Sequence, residues 1–371
     1  MKVIVVGAGP CGIIASLKIK EMHPEYDVIL IEKDNQIGKR IKVSGNGRCN
    51  FSNANVDSSY YKNGNAINHI LNGFESDKCN LFEQLNLHYY SDEEGRMYPV
   101  TNSSKTIHNQ LLNALIKVGV KIHTEEEVLS VNENLLITNK GKYAYDKLIL
   151  AIGGISYLYN SNSHDILNNL HIEETKLYPS LCPIKVKEKL PKEIVGKRAK
   201  ATVTLIRNSL EVFKESGEII FKKDGLSGIV IFNASSYIAN NYHEDYKIKV
   251  SFYDDLTKEE ILIQEKKFNR IEILSSYLVD EIAEYLSKQN STIYDLLTNL
   301  TFTFNGLYDF KESQVTSGGI SLNEINLDNL SLKKYPNIFV GGELMDVDGR
   351  CGGFNIHFAF ASGYFIAKNL I

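Results

Sequence analysis

Tryptophan is absent from the 371 residues, which are instead rich in Asn, Lys, Ile and Tyr, a bias that carries no function by itself. Cysteine is scarce. The five present, Cys11, Cys49, Cys79, Cys182 and Cys351, are odd in number and show no Cys-x-x-Cys spacing, which argues against a disulfide scaffold and against a zinc site. Such usage suits a reducing compartment, so a cytoplasmic location is expected. No apolar run approaches the ~20 residues needed to cross a bilayer, so no membrane partner is expected. The run Val3-Ile4-Val5-Val6 is too short for a signal peptide and reads as a buried strand. Charge of one sign is not in excess: a formal net charge of −4 gives no footing for a polyanion, and no nucleic-acid partner is expected. The charged fraction of 23% and hydrophobic fraction of 43% are those of a globular protein, long enough for two or three domains. No internal repeat is visible.

Against these absences stands one strong signal. The first apolar run leads into Gly7-Ala8-Gly9-Pro10-Cys11-Gly12 and then a helical stretch, and Glu32 closes the next apolar run twenty residues past Gly12. Strand, glycine turn, helix, second strand and terminal acid form the dinucleotide-binding fingerprint. Gly7 allows the tight turn, Gly9 lets backbone approach a pyrophosphate, and Gly12 lets helix pack closely on strand. The diphosphate is expected on the N–H groups of the helix that begins near Pro10. Glu32 is expected to accept from ribose hydroxyls, which favours NAD or FAD over NADP.

Organisation along the chain follows from periodicity. A strand at 2–6, a helix at about 10–22 and a strand at 27–32 open a parallel sheet. A helix is expected at 104–118, with Ile107, Leu111, Leu112, Leu115 and Ile116 on one face, then strands at 120–123, 127–131, 135–138, 143–145 and 147–151. Beyond Tyr178 the pattern becomes that of antiparallel strands, at 201–207, 211–213 and 219–221, and from Ala234 to about Asn299 it is helical. Gly225-Leu226-Ser227-Gly228 lacks the spacing of a nucleophile elbow and reads as a turn into the helical part. A buried strand returns at Asn337 to Val340, ending in Gly341-Gly342-Glu343, and a helix from about Asn355 closes the chain. The expected architecture is α/β, a Rossmann-like nucleotide-binding domain built from residues 1–177 and 315–371 with an inserted domain at 178–314. Within the insert, a β part covers about 178–233 and 300–314 and a helical part about 234–299.

Four blocks, 7–12, 44–53, 151–157 and 342–363, together resemble the bacterial FAD-containing NAD(P)/FAD-dependent oxidoreductases, a family that includes aminoacetone-oxidase-like and bile-acid dehydro-reductase-like flavoproteins. The most specific parts are Ser44-Gly45-Asn46-Gly47-Arg48-Cys49-Asn50, similar to an SGxGRCN block, and Asp346-Val347-Asp348-Gly349-Arg350-Cys351-Gly352-Gly353-Phe354-Asn355, similar to a DVDGRxGGYN block. The resemblance implies FAD as cofactor, a two-dinucleotide-binding-domain type of fold, and an insert with a small β-barrel and a helical bundle. It implies cofactor contacts from Gly7, Gly9, Pro10, Cys11, Gly12, Glu32, Lys33, Arg40, Ser44, Gly45, Gly47, Arg48, Cys49, Asn50, Val128, Ala151, Gly153, Gly154, Gly342, Glu343, Asp348, Gly352, Gly353, Phe354 and Asn355. Gly352-Gly353 before a helix suits the N1/O2 edge of a flavin, where negative charge develops on reduction. Glu343 is either a holder of ribityl hydroxyls or a solvent-facing strand end. Cys49 and Cys351 share these blocks, which leaves a redox pair open against the lack of Cys-x-x-Cys spacing. Asp346 and Asp348 alone do not make a cation site, and no metal is expected.

The chain departs from the family pattern at Ile152, where Thr is usual, and at Asn160 to Ser163, which lacks glycines. It departs again at Lys222-Lys223-Asp224, where relatives often show Thr-His, and at Ile229, where Pro is usual. These changes bear on the substrate more than the cofactor. The expected activity is an FAD-dependent oxidoreductase whose flavin is reduced by NADH or NADPH, bound transiently, and reoxidised by a small organic acceptor. An oxidase of an amine-type substrate and a non-catalytic redox sensor stay open. No catalytic acid or base, substrate or oligomeric state can be read.

Overall fold

The computed structural model describes residues 1–157 and 163–370; Asn160, Ser161 and Asn162 of the departure noted above lie outside them. The chain forms two compact units, residues 1–178 with 315–371, and residues 179–314.

In the first unit, β1 (Lys2–Val6) is solvent-free from Val3 to Val5 and lies parallel to β2 (Asp27–Ile31), Val3 opposite Val28 and Val5 opposite Leu30. A strand covered on both faces needs a continuous apolar run, as this one has. The crossover is α1 (Pro10–Met22), which starts with Pro at its first position, where the missing N–H costs nothing. The short α2 (Lys39–Val43), β3 (Ser52–Asn53), α3 (Gly64–Glu75), α4 (Lys78–Gln84), β4 (Tyr89–Ser91) and β5 (Arg96–Pro99) follow. Then α5 (Ser104–Val118) buries Ile107, Leu111 and Leu115, and Gly119 caps it in the left-handed region. Strand β6 (Lys121–His123) pairs with β2. A meander of β7 (Val128–Asn132), β8 (Leu135–Thr138) and β9 (Lys142–Ala144) leads to β10 (Lys147–Leu150), which lies parallel to β1 on the side away from β2. The strand order therefore reverses at β1, and ligands of open α/β sheets bind outside the carboxyl ends of strands at such a point.

The second unit is built on a closed barrel of β11 (Ile184–Val186), β12 (Arg198–Arg207), β13 (Leu210–Lys222), β14 (Gly225–Ser227), β15 (Lys247–Ser251) and β16 (Leu300–Leu307), in the order β11-β14-β13-β12-β15-β16. Helices α6 (Ile229–Asn240), α7 (Lys258–Glu265), α8 (Arg270–Tyr277), α9 (Asp280–Ser287) and α10 (Ile293–Thr298) complete it. Three expectations are corrected. The stretch 234–299 is not helical throughout: buried Ile248 and Val250 alternate with Lys247 and Lys249, the period of a strand, and β15 pairs with both β12 and β16. Gly225 to Ser227 is a barrel strand rather than a turn, and a Cβ on Gly225 would lie 2.0 Å from the Ile184 carbonyl oxygen. The segments 211–213 and 219–221 are one strand, made continuous by the hairpin pairing of β13 with β12.

Back in the first unit, β17 (Ile325–Asn326) and β18 (Ser331–Leu332) add an antiparallel edge that the sequence did not announce, and β19 (Ile338–Val340) lies parallel to β10. The sheet reads β17-β18-β19-β10-β1-β2-β6, and α11 (Phe354–Lys368) packs on α1.

Candidate dinucleotide site

The carboxyl end of β1 supplies the first wall. Gly7 has φ of 95°, and a Cβ there would lie 2.4 Å from the Ala151 carbonyl oxygen. A Cβ on Gly12 would lie 2.0 Å from the Gly7 oxygen. Gly9 differs: a Cβ would meet nothing within 4 Å, so its backbone faces open space at the start of α1. Glu32 follows β2, and its carboxylate accepts from Ala8 N at 2.8 Å and Asp34 N at 3.0 Å. Two backbone donors thus fix the acid beside the turn while lone pairs remain for ribose. Lys33 is exposed, and Val128 is buried at the start of β7. Pro10 opens α1, and Cys11 is buried against Gly341 and Ser362. Burial pushes the Cys11 thiol up to about 12, so it serves packing.

The second wall joins residues far apart in sequence. From α2, Arg40 places Nη1 2.9 Å from Glu343 Oε2 and donates through Nη2 to the carbonyls of Gly154, at 2.6 Å, and Ser156, at 2.9 Å. The other Glu343 oxygen accepts from Thr316 N at 2.7 Å, and Thr316 Oγ1 accepts from Ile155 N and Ser156 N. A Cβ on Gly154 would run into Thr316 and Glu343, whereas Gly153 takes φ of 72°. Arg40 and Glu343 stay partly open to solvent, with 30% and 21% of their side chains exposed. Glu343, for which two readings stood, is thus an ion-paired member of this wall, one residue past Gly342 at φ of 67°.

The third wall is the joint between the two motif blocks. Gly45, Asn46, Gly47 and Cys49 all take positive φ, which gives the 44–50 segment its tight path. Asn50 accepts from Gly353 N at 3.1 Å and donates to Ser52 O at 2.9 Å, and Asn53 Nδ2 donates to Gly352 O at 2.9 Å. Gly353 has φ of 93° and a Cβ there would lie 2.3 Å from Ser52 O, so no side chain fits where α11 begins. Asn355 is taken up by its own turn, bonding Gly349 N and O, each at 2.8 Å. Phe354 is buried and its carbonyl accepts from Tyr61 Oη at 3.0 Å. Ser44 bonds back to Ile41 O, and Arg48 is exposed with its guanidinium 4.8 Å from the centre of the Tyr98 ring. Cys49 is fully buried and its thiol is pushed up to about 11, which speaks against the redox pair left open with half-buried Cys351.

Several members carried no local sequence signal. Lys62 N donates to Asp348 O at 2.9 Å, Lys62 Nζ pairs with Asp346 at 2.6 Å, and Asn63 Nδ2 donates to Asp346 O. The Asp346 carboxylate is thereby neutralised by a lysine, and Asp348 is buried. Thr316 and His357 were likewise invisible, since each meets its partners only in the fold.

A glycine turn with open space above Gly9, a fixed acid at the end of β2 and a helix start that admits no side chain suit a long diphosphate ligand. The family model described as "HI0933-like protein Rossmann domain" matches residues 1–369. The chain belongs to that family. Among curated relatives of this HI0933-like protein are a 3-dehydro-bile acid delta(4,6)-reductase of Clostridium scindens, 25% identical over 402 residues covering 98% of this chain and 97% of the relative, and a ribosomal RNA dihydrouridine synthase of Escherichia coli, 24% identical over 400 residues covering 99% and 97%. Its fold is similar to the open conformation of a flavocytochrome c3 fumarate reductase, with TM-score 0.53, 16% identity, and coverage of 99% of this chain and 77% of that one. It is also similar to E. coli quinol fumarate reductase FrdA, with TM-score 0.52, 10% identity, and coverage of 99% and 69%. By family the chain is an FAD-dependent oxidoreductase, with a Rossmann-type domain and a closed six-stranded barrel.

Proposed function

We propose that this protein takes electrons from NADH or NADPH and uses them to saturate a carbon–carbon double bond conjugated to a carbonyl in a small organic molecule. The observation that carries the flavin part is the joint at Gly353, where Asn50 and Asn53 hold the start of α11 in place. Bound FAD supplies hydride-transfer chemistry. The N–H groups of that helix start and the Arg350 charge provide positive potential suited to a reduced, anionic isoalloxazine. The acceptor class rests on the names of the two curated relatives, a delta(4,6)-reductase of a 3-dehydro acid and a dihydrouridine synthase, which both describe hydrogen added across such a bond. The near balance of charge, at a formal −4, favours a small acceptor over a nucleic acid. With one glycine fingerprint in the chain, the nicotinamide binds transiently and without a domain of its own.

Anaerobic mixing of the yellow holoenzyme with NADH and with NADPH should bleach the flavin band, and a 3-oxo-4-ene steroid acid or uridine should restore it. Failure of both nicotinamides at millimolar concentration, with fast bleaching by an amine, would replace this reading with an oxidase. In the same preparation Glu32→Ala should weaken FAD binding by about 1–3 kcal/mol, the worth of hydrogen bonds to a charged group.

A further inference from the structure

Among the described residues of the three walls, Glu32, Glu343 and Asp346 are each held by backbone donors or an ion pair. His164, outside the residues assigned above, stands beside them. It lies in a 3-10 segment (Ser163–Leu170) whose Ile166, Leu167 and Leu170 are buried. Its Nδ1 is 2.5 Å from Glu174 Oε1 and its Nε2 is 3.3 Å from the Gly153 carbonyl oxygen. The ring thus has an oxygen acceptor facing each of its nitrogens, the carboxylate at Nδ1 and the carbonyl at Nε2. Glu174 is firmly mounted: it bridges Ile320, Thr175 N donates to Gly319 O at 2.8 Å, and Ser321 N donates to Glu173 O at 3.0 Å. Ile320 also bridges Met345, two residues past Glu343. On the other side, the residue after Gly153 is the one whose carbonyl receives Arg40. With 12% of its side chain exposed, the imidazole is largely shielded from bulk water without being sealed off from it.

We infer that His164, oriented by Glu174, is the proton donor of the double-bond reduction; this rests on the function proposed above. As hydride reaches the β-carbon, the Nε2 proton passes to the α-carbon. The π bond breaks, two C–H bonds form, the acceptor gains two electrons that the nicotinamide loses, and the ring regains its proton from solvent. A carboxylate-held imidazole is suited to this because its orientation is set in advance. A mere staple between the 163–170 segment and Glu174 would not need the second ring nitrogen to face the Gly153 carbonyl.

The test uses the full-length holoenzyme with FAD content and melting temperature as fold checks. Nitrogen-15 NMR of labelled histidine, assigned by loss of the signal in His164→Gln, should show the His164 Nδ1 signal shifted in Glu174→Gln, because the carboxylate holds that nitrogen. A His164 signal unmoved by Glu174→Gln overturns the inference whatever the acceptor. Reoxidation of the reduced enzyme by the 3-oxo-4-ene acid should slow by roughly 100-fold in His164→Gln, within the range for general acid catalysis. In His164→Ala, added imidazole should recover part of the rate. Reoxidation at the unmodified rate, or loss without recovery in a folded His164→Ala, overturns it. If the unmodified enzyme is itself reoxidised by no such acceptor, the proposed function falls and this inference with it.

Discussion

At the scale of the residue, one arrangement with a consequence for stability is a histidine that burial keeps neutral. His357 sits one turn into α11 with no exposed surface, its Nδ1 2.9 Å from Ser52 Oγ and its Nε2 3.3 Å from Glu75 Oε1 without hydrogen-bond geometry. Burial, with a smaller push from the Lys78 charge, lowers its pKa from 6.5 to about 3. Lys78 also pairs with the other Glu75 oxygen at 2.8 Å, so that carboxylate is answered and gives the ring little reason to charge. The unfolded chain therefore binds a proton near pH 6.5 that the folded chain refuses until about pH 3. Stability from this group is complete above 6.5 and falls with falling pH between those values, by about 1.4 kcal/mol per pH unit. Comparison of unfolding free energies by urea at pH 7 and pH 5 should show unmodified protein losing ~2 kcal/mol more than His357→Gln. Parallel losses in the two proteins would show that His357 does not titrate in this way. Nothing in the sequence around His357 marks it, because its environment comes from β3, α3 and α4.

At the scale of the element, packing of α1 on α11 depends on a single missing side chain. A Cβ on Gly363 would lie 2.4 Å from the Cys11 carbonyl oxygen and 3.2 Å from Ala15 N, so the two helices meet backbone to side. Substitution Gly363→Ala forces them apart and should cost about 1–3 kcal/mol, the usual penalty of overpacking. The starts of both helices belong to the proposed dinucleotide site, so FAD release should accelerate as the melting temperature drops. A melt and an FAD titration that both match the unmodified protein would show the helices free to slide. What the sequence revealed about elements follows the same physics. The glycine turn, α1, α5 and β10 were legible because their signals are local: period, cap and turn chemistry. Strand β15 was lost inside a helical reading, because α6 precedes it, four helices follow it, and only cross-barrel partners select the extended form. The 44–53 and 346–355 blocks were legible through family resemblance alone. Their joint, in which Asn50 holds Gly353 and Asn53 holds Gly352, was not, because it spans some three hundred positions.

At the scale of the whole molecule, the barrel unit has its own closed economy of contacts. Its strands leave no open edge in the ring β11-β14-β13-β12-β15-β16, and its core of Ile184, Val203, Leu205, Ile219, Phe221, Ile248, Val250, Phe302 and Phe304 is contiguous with Ile231, Ile238, Ile273, Leu274 and Leu286 from its helices. Ends of the unit lie together, since Gln314 N donates to Leu181 O at 3.2 Å and Tyr308 N to Pro183 O at 3.1 Å. Inside it, Tyr308 donates to Asp224 while Lys222 and Lys185 lie over the Tyr308 ring at 4.4 and 5.4 Å. Those lysine and aspartate positions coincide with the departure at Lys222-Lys223-Asp224, so the change from the family pattern is absorbed locally rather than left as a strained surface. A segment with its own core, no unpaired strand edge and adjacent ends meets the conditions for independent folding. Residues 179–314, produced alone, should therefore unfold in a single urea transition with dispersed amide NMR signals and should bind no FAD, because every wall of the dinucleotide site belongs to the other unit. A fragment that is collapsed but shows no cooperative transition would mean that the barrel is completed by the nucleotide-binding unit, and the boundary at residues 178 and 315 would lose its meaning as a domain border.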